Sequence, residues 1–411
     1  MTNWKEYKLG ELIETVSKTF KFSDKKVVFL NTSDTLEGKV INHNLFDPKK
    51  LPGQAKKSIQ PNDILYSEIR PANKRYAFID FESSNYVVST KLMVLRVLDD
   101  KIISPKYLYY FLTSDEIVSY LQMLAESRSG TFPQIRFEEV SLLDISLPPL
   151  NVQNEIVELV ASFDDKIELN NKINQELENL AQTLFKQWFI DFEFPNENGE
   201  PYKSSGGEMV ESELGEIPKG WEVKSLDEIA DYLNGLALQK FPAQNEKDYL
   251  PVIKIRELRQ GITQASDKAS TDVPEKYIIQ NGDVLFAWSG SLMIDFWTNG
   301  EGALNQHLFK VTSEVYPKWF YFYWTKFHLD EFIKIAESKA TTMGHIQRKH
   351  LTEAKVVVPN IERLSQFNEN FENIVVAVIS NREENQELTN LRDTLLPKLI
   401  SGELEVNNVI F

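Results

Sequence analysis

Two stretches of this 411-residue chain begin alike. "TNWKEYKLGELIETV" runs from Thr2 to Val16, and "LGEIPKGWEVKSLDEIADYL" runs from Leu214 to Leu233. Trp4 matches Trp221, and further matches follow in the same order. "IQPNDILYSEI" from Ile59 corresponds to "IQNGDVLFAWS" from Ile279, and "SPKYLYYFL" from Ser104 to "YPKWFYFYW" from Tyr316. A constant offset of 211 then pairs Ile135 with Ile346, Val140 with Leu351, Pro148 with Pro359, Ile156 with Phe367 and Leu184 with Leu395. Such a period is far longer than a solenoid repeat, so each copy is a whole domain with a helix attached.

Within a copy the expected order is a short amphipathic helix, a region of short strands and turns, and an aromatic-rich helix opened by Pro105 or Pro317. A strand ending at "LPPL" or "VPNI" follows, where proline stops both helix and ladder. A long helix comes last. In the first copy Ile156, Val160, Phe163, Ile167, Asn170, Asn174, Leu177, Ala181 and Leu184 alternate spacings of four and three. In the second, Phe367, Phe371, Ile374, Val378, Asn381, Asn385, Leu388, Arg392 and Leu395 do the same. A 4-3 seam is the coiled-coil pattern, and the first helix, from about Val152 to Phe192, would span ~60 Å. The paired Asn positions either meet a mate on a buried seam, fixing register, or flank it in water. The predicted architecture is α+β: two mixed domains, 1–150 and 215–361, with long helices at 151–193 and 362–411 zipped into an intramolecular antiparallel coiled coil. Residues 194–214 read as a linker, on the strength of the polar and turn-rich run from Pro195 to Gly220.

With 42% hydrophobic residues the chain can bury substantial cores. It has no cysteine, which excludes disulfides, thiolate metal sites and cysteine nucleophiles. Neither a membrane-length apolar run nor a signal-peptide pattern is present, so a cytoplasmic protein without membrane contact is expected. The formal charge of −16 argues against a nucleic-acid partner until it is divided. Residues 1–150 and 221–361 carry +1 and −2, whereas 151–220 and 362–411 carry −10 and −5. The acid thus lies in the helices and their connector, not in the two domains.

Catalytic machinery is hard to find. There is no phosphate-cradling glycine loop and no H-E-x-x-H pair, and no catalytic or metal-ligating set is assigned. "NDILYSEIR" offers Asp63 and Glu68 as a nuclease-like acid pair, but the second copy matches them with Asp283 and Trp288. Asp in "PND" and "NGD" is more simply a turn residue entering a strand. "WFYFYW", Trp319 to Trp324, could stack on bases, although helical spacing favours core. What remains is recognition: two similar, non-identical domains on a spacer suit an asymmetric, split site, as a symmetric dimer suits a palindrome.

Taken in order, the two openings, "GDVLFAWSGS" with "ALNQHLFKV", "ISLPPLNVQNEIVELVASFDDKIELNNKINQELENLAQTLFKQWFIDF" and "LRDTLLPKLISGELEV" resemble the specificity subunit of type I restriction–modification systems. The resemblance covers nearly the whole chain. It implies that each domain reads one half of a bipartite double-stranded DNA site, that the helix pair sets the unread spacer, and that the helices dock two methyltransferase subunits. S-adenosylmethionine would belong to those partners, and ATP and Mg to one or two restriction subunits where present, leaving this chain without a cofactor. DNA would be held jointly with the methyltransferase, so the isolated chain would bind it weakly.

Base edges favour Arg, Lys, Asn and Gln, whereas phosphates accept any cation or polar donor. The DNA-contact candidates in the first domain are Lys56, Lys57, Arg70, Lys74, Arg75, Arg128, Thr131, Gln134 and Arg136. In the second they are Lys254, Arg256, Arg259, Ser289, Lys339, Thr341, His345, Gln347 and Arg348. "SKATTMGHIQRKH" occupies the place of "SRSGTFPQIR", alike in small, polar and basic character but different in identity. The rival readings are an interaction scaffold with no DNA role and a nuclease built on Asp63 and Glu68.

Overall fold

The computed structural model describes residues 4–23, 25–127, 133–338 and 344–406. The chain divides into two units, Met1–Lys166 with Leu388–Phe411, and Ile167–Glu387. Each unit has the same plan.

In the first unit the strand Lys5–Lys8 pairs antiparallel with Asp144–Leu147, the strand that leads into the central helix. One 3-10 turn, Leu9–Glu11, separates it from Ile13–Thr15, which edges an antiparallel sheet. That sheet continues through Leu92–Val97, Ile64–Ser67 and Tyr76–Phe78. A second sheet orders Leu45–Phe46, Val27–Leu30, Tyr86–Ser89 and Ala55–Ser58, its central pair parallel. The second unit repeats both sheets. Asp231–Asn234, Leu308–Thr312, Val284–Ala287 and Met293–Phe296 form one; Lys268–Ala269, Leu250–Ile253, Gly302–Leu304 and Ile278–Ile279 form the other. Its opening strand Glu222–Ser225 again pairs with the strand before a long helix, Lys355–Val358.

The strand period of two explains why "ILYS" and "VLFA" are buried throughout. Ile64 and Tyr66 join the core under the aromatic helix Pro105–Thr113, while Leu65 points to the other sheet with Val28, Leu30 and Val88. Val284 and Phe286 likewise face the helix Lys318–Phe327, and Leu285 and Ala287 face away from it. Every residue from Trp319 to Trp324 is buried, so this aromatic run is core and no stacking platform.

Two expectations change. The openings are not amphipathic helices: "EYK" and "EVKS" are strands, and only one helical turn follows, Leu226–Ile229 in the second copy. Pairing with a distant strand overrides a local helical spacing, because the ladder pairs backbone groups that a four-residue helix would leave open. The stretch read as a linker is folded. Phe194 is buried and stacks on Trp221 at 5.0 Å and on Tyr202 at 4.6 Å. Met209–Ser212 and Gly215–Pro218 then form a hairpin. Its polar composition concealed two aromatic anchors, Phe194 and Tyr202.

The central helix runs Leu150–Phe185 and widens into a π turn, Lys186–Ile190, that buries Trp188 and Phe189. The C-terminal helix runs Ile361–Ser401. Inside the first unit Ile156, Val160 and Phe163 are buried, and Ile156 and Val160 share their core with Leu396 and Leu399; Leu395 is half-buried. Gly402 ends the helix at φ 75°, its Cα face against the Trp4 ring, which accounts for the tryptophan of the opening. Inside the second unit Phe367, Phe371, Ile374 and Val378 are buried with Ala181 and Phe185, and Leu177 and Leu184 pack against them. Ile167 and Leu388 are half-buried. The asparagines lie on the buried side: Asn170 donates to Glu384 at 2.7 Å and to Asn385 at 2.9 Å, and Asn381 donates to Asn174 at 2.8 Å. Rising numbers on one helix meet falling numbers on the other, so the packing is antiparallel. Among the described residues no helix is long and apolar enough to cross a membrane.

Two predictions follow from this packing. Asn174→Leu should strand the Asn381 amide and destabilise the protein by ~1–3 kcal/mol. The double change Asn174→Leu/Asn381→Leu should recover most of that in a denaturation cycle; purely additive losses would show that the amides do not pair. His328 is buried and its Nε2–H donates to the Lys355 carbonyl at 2.9 Å. Burial lowers its proton affinity below the ordinary 6.5, against the opposing pull of that carbonyl and Glu331. The unfolded chain therefore binds this proton more readily. The stability it confers is complete above pH 6.5 and lost as the pH falls through that value toward the depressed one. Thermal unfolding between pH 7 and 5 should fall more steeply for the parent than for His328→Gln.

Candidate nucleic-acid interface

The strand Ile64–Ser67 opens into a turn whose backbone is pinned from two sides. The Ile135 N–H donates to the Glu68 carbonyl at 2.8 Å, and the Arg70 N–H to the Pro133 carbonyl at 3.0 Å. Glu68 itself donates to the Lys91 carbonyl at 3.3 Å, and Thr90 to that of Gln54 at 3.0 Å. Four segments distant in sequence thus form one ridge, carrying Gln54, Glu68, Lys91, Arg70 and Gln134. Arg70 and Lys74 hold φ of 45° and 50°, bracketing the single turn Pro71–Asn73. Left-handed backbone at non-glycine residues costs about 1 kcal/mol each and persists where surrounding contacts impose it.

The second unit builds the same ridge with other side chains. The Ile346 N–H donates to the Trp288 carbonyl at 3.0 Å, Gly290 to Gly344 at 2.8 Å and Trp288 to His307 at 3.4 Å. Ser289 bridges His345 just as Ile69 bridges Gln134. Glu68, Lys91, Gln134 and Arg136 are thereby replaced by Trp288, His307, His345 and Gln347. The Trp288 indole donates to Asn234 at 2.9 Å, its ring 6.0 Å from His307 and 6.2 Å from His345. Ser289 is buried, with its hydroxyl 2.9 Å from His307 Nδ1. One half presents a carboxylate among cations; the other presents an indole between imidazoles.

The remaining candidates divide by what already holds them. Lys56, Arg136, Arg259 and Gln347 are exposed. The Lys57 ammonium donates to the Leu92 carbonyl at 2.8 Å, and burial lowers its proton affinity, against the pull of Glu68. Lys74 pairs with Asp115 at 3.1 Å, and Arg75 donates to the carbonyls of Ser33 and Thr35 at 3.3 and 3.2 Å. Lys254 pairs with Asp267, and Arg256 is spent on Glu257 and the Ala265 carbonyl. Arg348 donates to the Tyr232 carbonyl at 3.0 Å and lies over the Phe309 ring. Arg128, Thr131, Lys339 and Thr341 lie outside the described residues. Glu68, Lys91, Trp288 and His307 stand on these ridges and are not among the sequence-derived candidates. The Glu68–Trp288 mismatch within an otherwise matched strand was the one available signal.

Asp63 is fully buried and receives Arg96 through both oxygens, at 2.7 and 2.8 Å, together with the Gln60 N–H at 2.8 Å. Asp283 repeats this with Lys310 at 2.8 Å and the Gln280 N–H at 2.8 Å. Both aspartates staple a turn to a neighbouring strand, as the simpler reading of "PND" and "NGD" has it. Among the described residues no three His, Asp or Glu side chains converge as a metal site would require.

Comparison with known proteins agrees with the doubled plan. The sequence model described as "Type I restriction modification DNA specificity domain" matches residues 1–179 and again 218–390. The chain is 33% identical to the Type I restriction enzyme HindI specificity subunit of Haemophilus influenzae, over 98% of this chain and 100% of that one. It is 28% identical to the Type I restriction enzyme MjaIX specificity subunit of Methanocaldococcus jannaschii, over 74% and 70% respectively. The crystal structure of a type I restriction–modification S subunit from M. genitalium shares the fold, with a TM-score of 0.53 at 15% identity over 97% of this chain and 96% of that one. With two matched domains, and a relative at this identity covered from end to end, the chain belongs to the type I restriction–modification DNA specificity family.

Proposed function

We propose that this chain is the DNA-reading subunit of a type I restriction–modification complex, its two domains each reading one half of a bipartite, asymmetric site. The observation that carries the proposal is the matched ridge: one backbone frame, presented twice, with different side chains at Glu68 and Trp288, Lys91 and His307, Gln134 and His345, and Arg136 and Gln347. A reader of two unlike half-sites needs that combination, since the frame sets the approach to the groove and the side chains select the bases. Gln134 suits the adenine edge, and Glu68 suits the cytosine amino group. An interaction scaffold would have no need of paired ridges that differ systematically in chemistry.

In this reading the chain performs no bond-making step. The helix pair sets the unread spacer and docks two methyltransferase subunits, which bring S-adenosylmethionine. One or two restriction subunits bring ATP and Mg where the system cleaves, and the complex works in the cytoplasm. The helices and connector hold nearly all the surplus acid, which suits protein partners better than phosphate. DNA is then gripped jointly with the methyltransferase, and the isolated chain binds it weakly.

Base-methylation maps of cells with and without this chain test the function: a split motif should vanish on deletion, and an undivided or unchanged motif would refute the reading. At residue level, Gln134→Ala should cost ~1–3 kcal/mol of discrimination at one base of one half-site, and His345→Ala should do the same in the other half. A loss spread evenly over both halves would mark a folding defect.

A further inference from the structure

Each unit contains one ion pair, between an arginine of the C-terminal helix and a carboxylate of the central helix, that also bonds the unit's own domain. In the first unit Arg392 donates to Asp164 of the central helix at 2.7 Å. The other Asp164 oxygen accepts the Tyr110 hydroxyl at 2.9 Å, and Tyr110 belongs to the aromatic helix of the globular domain. In the second unit Arg382 donates to Glu178 of the central helix at 2.9 Å. Its other nitrogen donates to Asp295 at 2.7 Å and the Phe296 carbonyl at 3.3 Å, both on the strand Met293–Phe296. The two joints have one logic: C-terminal helix, central helix, own domain.

The repeat did not supply this logic. At the offset of 211, Arg382 falls on Asn171 and Arg392 on Ala181, so the joints arise at unrelated positions. Stability alone is a poor reason for them, because well-packed apolar side chains commonly serve at least as well as a half-buried ion pair. Adhesion is already provided by Ile156 and Val160 in one unit and by Phe371, stacked on Trp319 at 4.3 Å, in the other. Apolar contact is non-directional, however. The Arg382 guanidinium, held between Glu178 and the domain strand, and the Asp164 carboxylate, held between Arg392 and Tyr110, constrain angle as well as distance.

We propose that Arg382 and Arg392 are positioning residues, each fixing the angle at which its own domain is seated on the helix pair and so restricting the half-site spacing that the protein accepts. The proposal rests on the DNA-reading function given above. Methylation maps of cells carrying the complete system with Arg382→Met, Arg392→Met or Asp295→Asn test it. The last change removes the charged acceptor on the domain strand while leaving Arg382 on Glu178 and the Phe296 carbonyl. In each variant the preference for the parental spacing over spacings one base pair longer or shorter should fall about tenfold, with the bases required in both half-sites unchanged. If Arg382→Met abolishes methylation by failing to fold, Asp295→Asn decides the matter. A spacing preference as strict as the parent's, whether methylation persists or declines uniformly, overturns the proposal. A parent map without any split motif would instead overturn the functional reading beneath it.

Discussion

Antiparallel packing of two helices that meet across 214 residues of sequence, at Asn170 and Glu384, is the interaction on which the rest of this structure depends. Closing so long a loop adds little entropy beyond closing a shorter one, because the cost rises only with the logarithm of length. The return is that each domain shares its core with both helices. Ile156 and Val160 lie with Leu396 and Leu399 in one unit, and Phe185 with Phe367 and Phe371 in the other. Neither domain's core is complete with the helix of its own copy alone.

Polar chemistry occupies one stretch of the helix pair inside the second unit. Asn170, Asn174, Asn381 and Asn385 bond across the helices there, flanked by the Asp164–Arg392 and Glu178–Arg382 pairs. Leucine at those places would bind more strongly but would tolerate a slip along the seam; a buried amide tolerates none without losing its mate. The exchange of adhesion for register is what a protein that measures a fixed separation would require.

Much of this was legible because the chain supplies its own comparison. Duplication marked the domains, and the alternating spacing from Ile156 to Leu184 and from Phe367 to Leu395 marked the helices. The openings misled because "ELIETV" carries helical spacing, while its neighbour "EYK" is claimed by Asp144–Leu147 far along the chain. The connector misled because Phe194, Tyr202 and Ile217 are sparse among charged and turn residues. The ridge was illegible for a different reason: backbone bonds between distant segments, such as Ile135 to Glu68 and Trp288 to His307, assemble it. Residue type alone does not distinguish Lys56, which is exposed, from Lys57, which spends its charge on the Leu92 carbonyl.

Two readers of common frame and separate chemistry, carried by one polypeptide, should be separable. Exchanging residues 1–150 for the corresponding domain of a relative with a different DNA motif, followed by mapping of the methylated sites, is the most direct measurement. The expected result is a hybrid site in which one half changes while the other half and the spacing persist. Simultaneous change of both halves, or a site without a spacer, would contradict it.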